Sequence, residues 1–248
     1  MAEKSSELDP VSAADGIREE MARLGTPERA AGAKKYLKSD LEFLGVRTPD
    51  WRRVLKGWLR SRPGIDRQEL LVVARELWRR PVFELRSFAV GLLVEKVELL
   101  APDDLHLIER WLRESETWAL VDHLSVHAAG PLVERHPELA AELDRWAEDA
   151  DFWVRRAAML ALLLPLRRGE GDWQRFARYA DTMLAEREFF IRKAIGWVLR
   201  EVSKKNPERV RDFVAPRTDR ISGVTLREAV KYLPADDREA LLGAYRSR

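Results

Sequence analysis

The chain has 248 residues, of which 46% are hydrophobic and 35% charged, and it contains no cysteine. Disulfides and thiolate metal sites are therefore excluded, and the abundance of Leu, Ala, Arg and Glu is typical of a helical protein. The formal net charge of +2 indicates no class of partner by itself.

Two further exclusions follow from the order of the residues. No apolar run is long enough to span a bilayer, and the start, MAEKSSELDPVS, lacks the apolar core of a signal peptide. We therefore predict a cytoplasmic protein without membrane contact. His123 and His127 are four residues apart, but the helix offers no third ligand, so we predict neither a metal nor a cofactor.

The elements predicted in chain order are all helices. Residues 1–10 are polar and are expected to form a disordered tail. A helix is predicted from Val11 to Leu24; Gly25 ends it, and Thr26-Pro27-Glu28 begins the next. Thr48 is predicted as an N-cap, with Pro49 as the first helical residue. Between the breakers, apolar residues recur at spacings of three and four, and no stretch alternates as a strand would.

A basic residue followed by an Ala-apolar pair recurs along the chain. Arg155-Arg156-Ala157-Ala158-Met159, Arg192-Lys193-Ala194-Ile195-Gly196 and Arg227-Glu228-Ala229-Val230-Lys231 follow one another at spacings of 37 and 35, and Arg86-Ser87-Phe88-Ala89-Val90 fits the same register upstream. Helices repeating at this period are typical of HEAT or armadillo hairpins. We therefore predict an all-α fold, a curved right-handed α-solenoid of HEAT-like hairpins (an α-α superhelix), as one domain over residues 11–248.

The charges segregate along the chain. Residues 34–86 contain 14 basic and 7 acidic side chains, residues 95–150 contain 5 and 14, and residues 151–231 contain 18 and 11. Two basic blocks around an acidic one would suit a protein that grips phosphates on both sides of its site. Arg-rich helices with solvated faces explain the same pattern.

Trp118 and Asp122 are one helical turn apart, within the segment WLRESETWALVDHLSVHAAG. Alone, the pair indicates no more than a buried ring beside a solvated acid. Four blocks give it a context: residues 36–38 with 43–49, residues 75–78, residues 118–122, and FFIRKAIGWVLRE at 189–201. Together they resemble the DNA alkylation repair family of HEAT-like-repeat DNA glycosylases, the AlkD type, from about Tyr36 to Lys231.

The resemblance implies roles for particular residues. Asp122, Trp118 and Trp197 match the catalytic positions of the family. Arg156 matches its DNA-binding arginine, with Arg155 as the alternative, and Tyr36 matches a position near the lesion. Thr117 stands where the family often has an aromatic residue. Phosphate contact is expected from four cations in or just after the last block: Lys193, Arg200, Lys204 and Lys205. The other seven tryptophans are expected to pack in the core.

The implied function is that of a monofunctional DNA glycosylase. It would hydrolyse the N-glycosidic bond of positively charged alkylpurines, such as 3-methyladenine and 7-methylguanine, in duplex DNA and without a base-specific flipping pocket. The partner would be double-stranded DNA that contains alkylated bases, bound by a monomer. Two alternatives are a non-catalytic HEAT-repeat protein that binds damaged or branched DNA and a protein-interaction scaffold without a DNA role.

Overall fold

The computed structural model describes residues 8–248. Contacts divide the chain into two compact units: unit 1 runs up to Asp104 and includes Glu114–Leu124, and unit 2 comprises Leu105–Arg113 and Ser125–Arg248. The single domain expected for residues 11–248 stays a prediction. Residues 8–248 contain no strand, only an isolated bridge between Glu42 and Val82. The all-α prediction is therefore confirmed over this range, and each helix here is too short or too polar to cross a bilayer.

Unit 1 contains six α-helices among its described residues: α1 Pro10–Leu24, α2 Pro27–Leu37, α3 Thr48–Arg60, α4 Arg67–Arg79, α5 Phe83–Glu95 and α7 Trp118–Leu124. Helix α5 forms the core, because every residue from Glu84 to Leu93 is buried. It packs against α1, α3, α4 and α7.

The helices of unit 2 begin with α6 Asp104–Arg113, apart from its first residue, and resume after a π-helical turn at Ser125–Ala129. They continue as α8 Gly130–Arg135, α9 Ala140–Ala147, α10 Phe152–Leu160, α11 Leu163–Arg167, α12 Trp173–Met183, α13 Phe189–Ser203, α14 Pro207–Val214, α15 Gly223–Ala229 and α16 Ala235–Arg246. Short 3-10 turns lie at Val97–Leu99 in unit 1 and at Pro137–Leu139, Ala215–Arg217 and Val230–Tyr232 in unit 2.

The predicted repeat period is visible in unit 2. Its basic-Ala motifs lie on α10, α13 and α15, and α13 packs against both of the others. Ion pairs link successive elements at separations of 31–36 residues: Glu109 of α6 pairs with Arg145 of α9, Asp144 with Arg175 of α12, and Asp181 with Arg217 beyond α14. HEAT-like stacking is thus present within this unit.

The predicted helix starts are confirmed only in part. Helix α2 starts at Thr26-Pro27 as predicted, and the Thr26 hydroxyl caps it by accepting a hydrogen bond from the Arg29 amide. Thr48 was wrongly predicted as the cap of α3: it is the first helical residue, and the N-cap is Arg47, which makes no side-chain capping bond. The cap preference of threonine is overridden because Arg47 supplies the extended backbone (φ −70°, ψ 146°) and pairs with Asp50 instead.

The end of the predicted tail also differs from the structure. Helix α1 begins at Pro10, and the Asp9 carboxylate accepts hydrogen bonds from the amides of Val11 and Ser12. Asp9 is therefore the cap of α1 and Pro10 its first residue, and both were wrongly placed in the tail. Asp followed by Pro is a favourable helix start. Residues 1–7 of the predicted tail lie outside the described residues.

The loop before α3 is held by a buried carboxylate. Glu84 of α5 accepts hydrogen bonds from the amides of Leu44, Gly45 and Val46, at 2.7–3.1 Å. Gly45 has φ +75°, and a Cβ there would lie 2.3 Å from the Thr26 carbonyl oxygen. The loop therefore requires glycine at this position. This requirement explains structurally why a glycine stands within the Phe43–Pro49 block.

Candidate nucleic-acid interface

Helix α7 presents Trp118 and Asp122 on its exposed side. Leu120, Val121 and Leu124 are buried, whereas Trp118 and Asp122 are half-exposed. This one-sided burial follows from the packing of α7 against α5. The ring and the carboxylate, one turn apart, therefore share the surface of unit 1.

Tyr36 lies beside Trp118; its predicted position near the lesion stays a prediction. The two ring centroids are 5.8 Å apart with an interplanar angle of 83°, an edge-to-face contact. Tyr36 is 71% exposed at the end of α2, so most of its ring remains open to solvent. Unit 1 thus brings together three of the predicted residues: Tyr36, Trp118 and Asp122.

Trp51 belongs to the same neighbourhood, although the sequence favoured core packing for it. It is half-exposed, and its ring centroid lies 6.5 Å from that of His123, the residue after Asp122. The Arg52 guanidinium lies 5.9 Å from the Trp51 ring. Trp58, Trp153 and Trp173 are also half-exposed, while the core prediction is confirmed for Trp78, Trp111 and Trp146.

A basic stripe on α3 was not singled out from the sequence. Arg52, Lys56 and Arg60 are exposed and line a groove of about 380 Å³ together with Pro49 and Arg53. Their spacing of four places them along one side of the helix. That spacing was readable from the sequence, where these cations counted only as part of a basic block.

Helix α13 presents the second group of predicted residues, in unit 2. Lys193, Trp197, Arg200 and Lys204 follow at spacings of four, three and four, so they form one stripe, which we call the α13 stripe. Its members are half-exposed or exposed, whereas the opposite side of the helix is buried in unit 2. A tryptophan between cations is a pattern typical of nucleic-acid binding.

The cations of the α13 stripe are paired with acidic side chains. Lys193 lies 2.5 Å from a Glu228 oxygen, and Arg200 donates to the other oxygen of the same carboxylate. Lys204 pairs with Glu201 at 2.8 Å, and its ammonium lies 5.0 Å from the Tyr232 ring centroid. Lys205 follows the end of α13 and lies near Gly169, apart from these pairs.

The structure distinguishes the two neighbouring arginines of α10. Arg155 makes the ion pair expected within HEAT repeats, with Glu186 at 2.9 Å, and donates to the carbonyls of Asp149 and Ala150. Arg156 is 4% exposed; it donates to the Phe190 carbonyl and lies over the Phe190 ring. Its burial favours a role in holding the start of α13, and phosphate contact by Arg156 stays a prediction.

No group of three or more His, Asp or Glu side chains that could hold a metal ion occurs in residues 8–248. Two carboxylates in the ion pairs of unit 2 have strongly lowered pKa values. Burial opposes ionisation of Glu109, but hydrogen bonds from Arg145 and Arg113 outweigh it and lower its pKa to about 2. The hydrogen bond from Arg113 likewise lowers the pKa of Asp149 to about 2.

Comparison with solved structures gives the same fold in related proteins. A predicted DNA alkylation repair enzyme from Enterococcus faecalis has 24% identity and a TM-score of 0.76, over 85% of this chain and 97% of that one. AlkD2 from Streptococcus mutans has 14% identity and a TM-score of 0.62, over 92% and 100%. The alkylpurine DNA glycosylase AlkC from Pseudomonas fluorescens, bound to DNA containing an abasic site analog, has 18% identity and a TM-score of 0.51, over 94% and 66%.

At these identities the similarity establishes the fold alone, and the search of curated proteins found no match. Family membership is established by a family model: the one described as "DNA alkylation repair enzyme" matches residues 17–233. That range includes α7 and the whole of the α13 stripe. The chain therefore belongs to the DNA alkylation repair enzyme family.

Proposed function

We propose that this protein is a monofunctional DNA glycosylase that releases positively charged alkylpurines, such as 3-methyladenine and 7-methylguanine, from duplex DNA. The observation that carries the proposal is the arrangement on α7. Asp122 and Trp118 share its half-exposed side, and the Trp118 ring is in edge-to-face contact with Tyr36. Family membership supplies the substrate class, alkylated DNA.

The chemistry asked of these residues is modest. Alkylation at N3 or N7 makes the purine cationic, so the bond from the base nitrogen to C1′ breaks without prior protonation, and the electron pair of that bond leaves with the neutral base. The sugar becomes an oxocarbenium-like cation. A water oxygen then bonds to C1′ and gives its proton to the Asp122 carboxylate, which also stabilises the cation electrostatically; such roles contribute roughly 10²–10⁴-fold.

The aromatic side chains would add to this stabilisation. The face of an indole attracts a cation by about 0.5–2 kcal/mol when the contact is partly desolvated. We assign this role to Trp118 in unit 1 and to Trp197 in unit 2, as the resemblance implies. Selectivity would come from the charge and lability of the lesion, and no base-specific pocket is part of the proposal.

Binding would be carried by cations that contact phosphates without reading sequence. The candidates in unit 2 are Lys193, Arg200, Lys204 and Lys205, and unit 1 adds the basic stripe of α3. We also propose Arg156 as a residue that contacts the phosphate beside the lesion, as the resemblance implies, from a position where it is bonded to the start of α13. We further propose that the protein acts as a monomer, because binding one duplex in this way requires no second subunit. Its proposed location is the cytoplasm.

The test replaces the proposed catalytic carboxylate. In Asp122→Asn we expect release of 7-methylguanine from methylated duplex DNA to fall by at least about 100-fold, while the affinity for unmodified duplex stays within about threefold of wild type. Asp103→Asn, which neutralises an exposed acid of the same unit, is the matched control and should retain full activity.

Three outcomes separate the candidate functions. Wild-type release by Asp122→Asn would refute the assignment of Asp122. A wild-type protein that binds DNA but releases no base would be a non-catalytic DNA-binding protein. Absence of salt-sensitive DNA binding would favour the protein-interaction scaffold.

A further inference from the structure

Glu228 occupies the middle of the α13 stripe although it belongs to α15. Its two carboxylate oxygens accept from different cations, Lys193 at 2.5 Å and Arg200. The two cations flank Trp197, one turn on either side. One acidic side chain thus engages two of the residues proposed to bind DNA phosphates.

The position of Glu228 results from a close approach of two helices. A Cβ added at Gly196 of α13 would lie 2.7 Å from the Glu228 Cβ and 3.1 Å from the Thr225 carbonyl oxygen, so glycine is what allows this contact. The buried Thr225 hydroxyl donates to the Arg192 carbonyl at 3.1 Å and ties α15 to α13. The carboxylate is therefore held beside the stripe by the fold.

The contact remains reachable from solvent. The side chains of Lys193, Arg200 and Glu228 are 37%, 24% and 21% exposed. The hydrogen bond from Lys193 lowers the pKa of Glu228, which is therefore ionised at neutral pH. A carboxylate and a phosphate offer these cations the same charge-assisted hydrogen bonds.

We propose that Glu228 acts as an internal substitute for DNA phosphate: it occupies Lys193 and Arg200 in the free protein, and DNA must displace it to bind the α13 stripe. This inference rests on the proposed DNA-binding function. Glu228 would lower the affinity for undamaged duplex and reduce the salt dependence of binding, because cations paired with a carboxylate release fewer counterions when phosphates arrive.

The experiment compares Glu228→Gln with wild type and with Glu239→Gln, which removes an equal charge at an exposed position of α16. Affinity for unmodified duplex DNA is measured over a range of salt concentrations. We expect Glu228→Gln to bind about 3–10-fold more tightly at 0.1 M salt, with a log–log salt slope steeper by up to about one. Glu239→Gln should resemble wild type, and thermal unfolding should verify that both variants are folded.

A double-mutant cycle excludes a merely structural role. If Glu228 competes with phosphate for Lys193, the affinity gained by Glu228→Gln should shrink at least about twofold in a Lys193→Gln background. Equal or weaker binding by folded Glu228→Gln would overturn the inference, as would an equal gain in Glu239→Gln. A wild-type protein that binds no DNA would instead refute the proposed function itself.

Discussion

At the scale of single residues, the Tyr36 and Trp118 contact is the most informative feature of unit 1. Two residues from distant parts of the sequence meet edge to face, and the tyrosine keeps a largely exposed ring. The family motifs singled out both residues because each motif is local, but their contact with each other could not be read from the sequence; their roles stay predictions. The neighbouring Trp51 was predicted to pack in the core and does so only in part: its ring lies against Gly91 of α5, yet it stays half-exposed beside His123.

Tyr36 offers a test of whether this contact orients Trp118. Tyr36→Ala removes the ring, and we expect the rate of 7-methylguanine release to fall by about 3–10-fold, the kinetic equivalent of one aromatic pair. Tyr36→Phe preserves the edge-to-face contact and should retain nearly full activity in a single-turnover assay. An alanine variant as active as wild type would contradict the orienting role.

At the scale of elements, the sequence predicts the helices and the stacking of the repeated ones, but not the particular side-chain contacts between them. The period of 35–37 residues predicted the stacking of α10, α13 and α15 because a hairpin repeat buries the same positions each time. The pairing of Glu228 with two cations of α13 depends on the close approach at Gly196, which periodicity does not encode. The prediction of Thr48 as the cap of α3 was wrong for a similar reason: Arg47 takes the cap position, where it is held by its ion pair with Asp50.

The loop before α3 gives a prediction at this scale. Gly45→Ala forces a side chain into the left-handed region and against the backbone of Thr26 and Ala30. We expect the free energy of unfolding to fall by about 2–4 kcal/mol in a urea titration. Gly32→Ala, in α2 where an added Cβ meets no atom within 4 Å, is the control and should not destabilise the protein. Equal stability of the two variants would show that the loop relaxes freely.

At the scale of the whole molecule, stability in acid should depend on the ion pairs of unit 2. The folded pKa of Glu109 is about 2, below its ordinary value of 4.5. A carboxylate with a lowered folded pKa stabilises the fold fully above the ordinary value, and this contribution is lost as the pH falls through the folded pKa. Unfolding should therefore become easier between about pH 4.5 and pH 2.

Glu109→Gln isolates that contribution. At pH 7 we expect it to lower the free energy of unfolding by about 1–2 kcal/mol, a figure reduced for the solvent exposure of Arg113 and Arg145. The gap between variant and wild type should narrow as the pH falls toward 2. Urea titrations at several pH values measure it, with Glu239→Gln as the exposed control; a gap that is constant with pH would contradict the linkage.

The Glu84 carboxylate has a consequence for how the chain folds. The three amides that it collects belong to the loop between α2 and α3, while Glu84 itself lies on α5, about forty residues later. Until α5 docks, the three donors lack their common acceptor, and the loop keeps only its other contacts, such as the hydrogen bonds that the Gly45 carbonyl accepts from Arg29 and Thr26. The final ordering of this loop therefore depends on α5, so one buried side chain couples the segment between α2 and α3 to a helix that follows it in the chain.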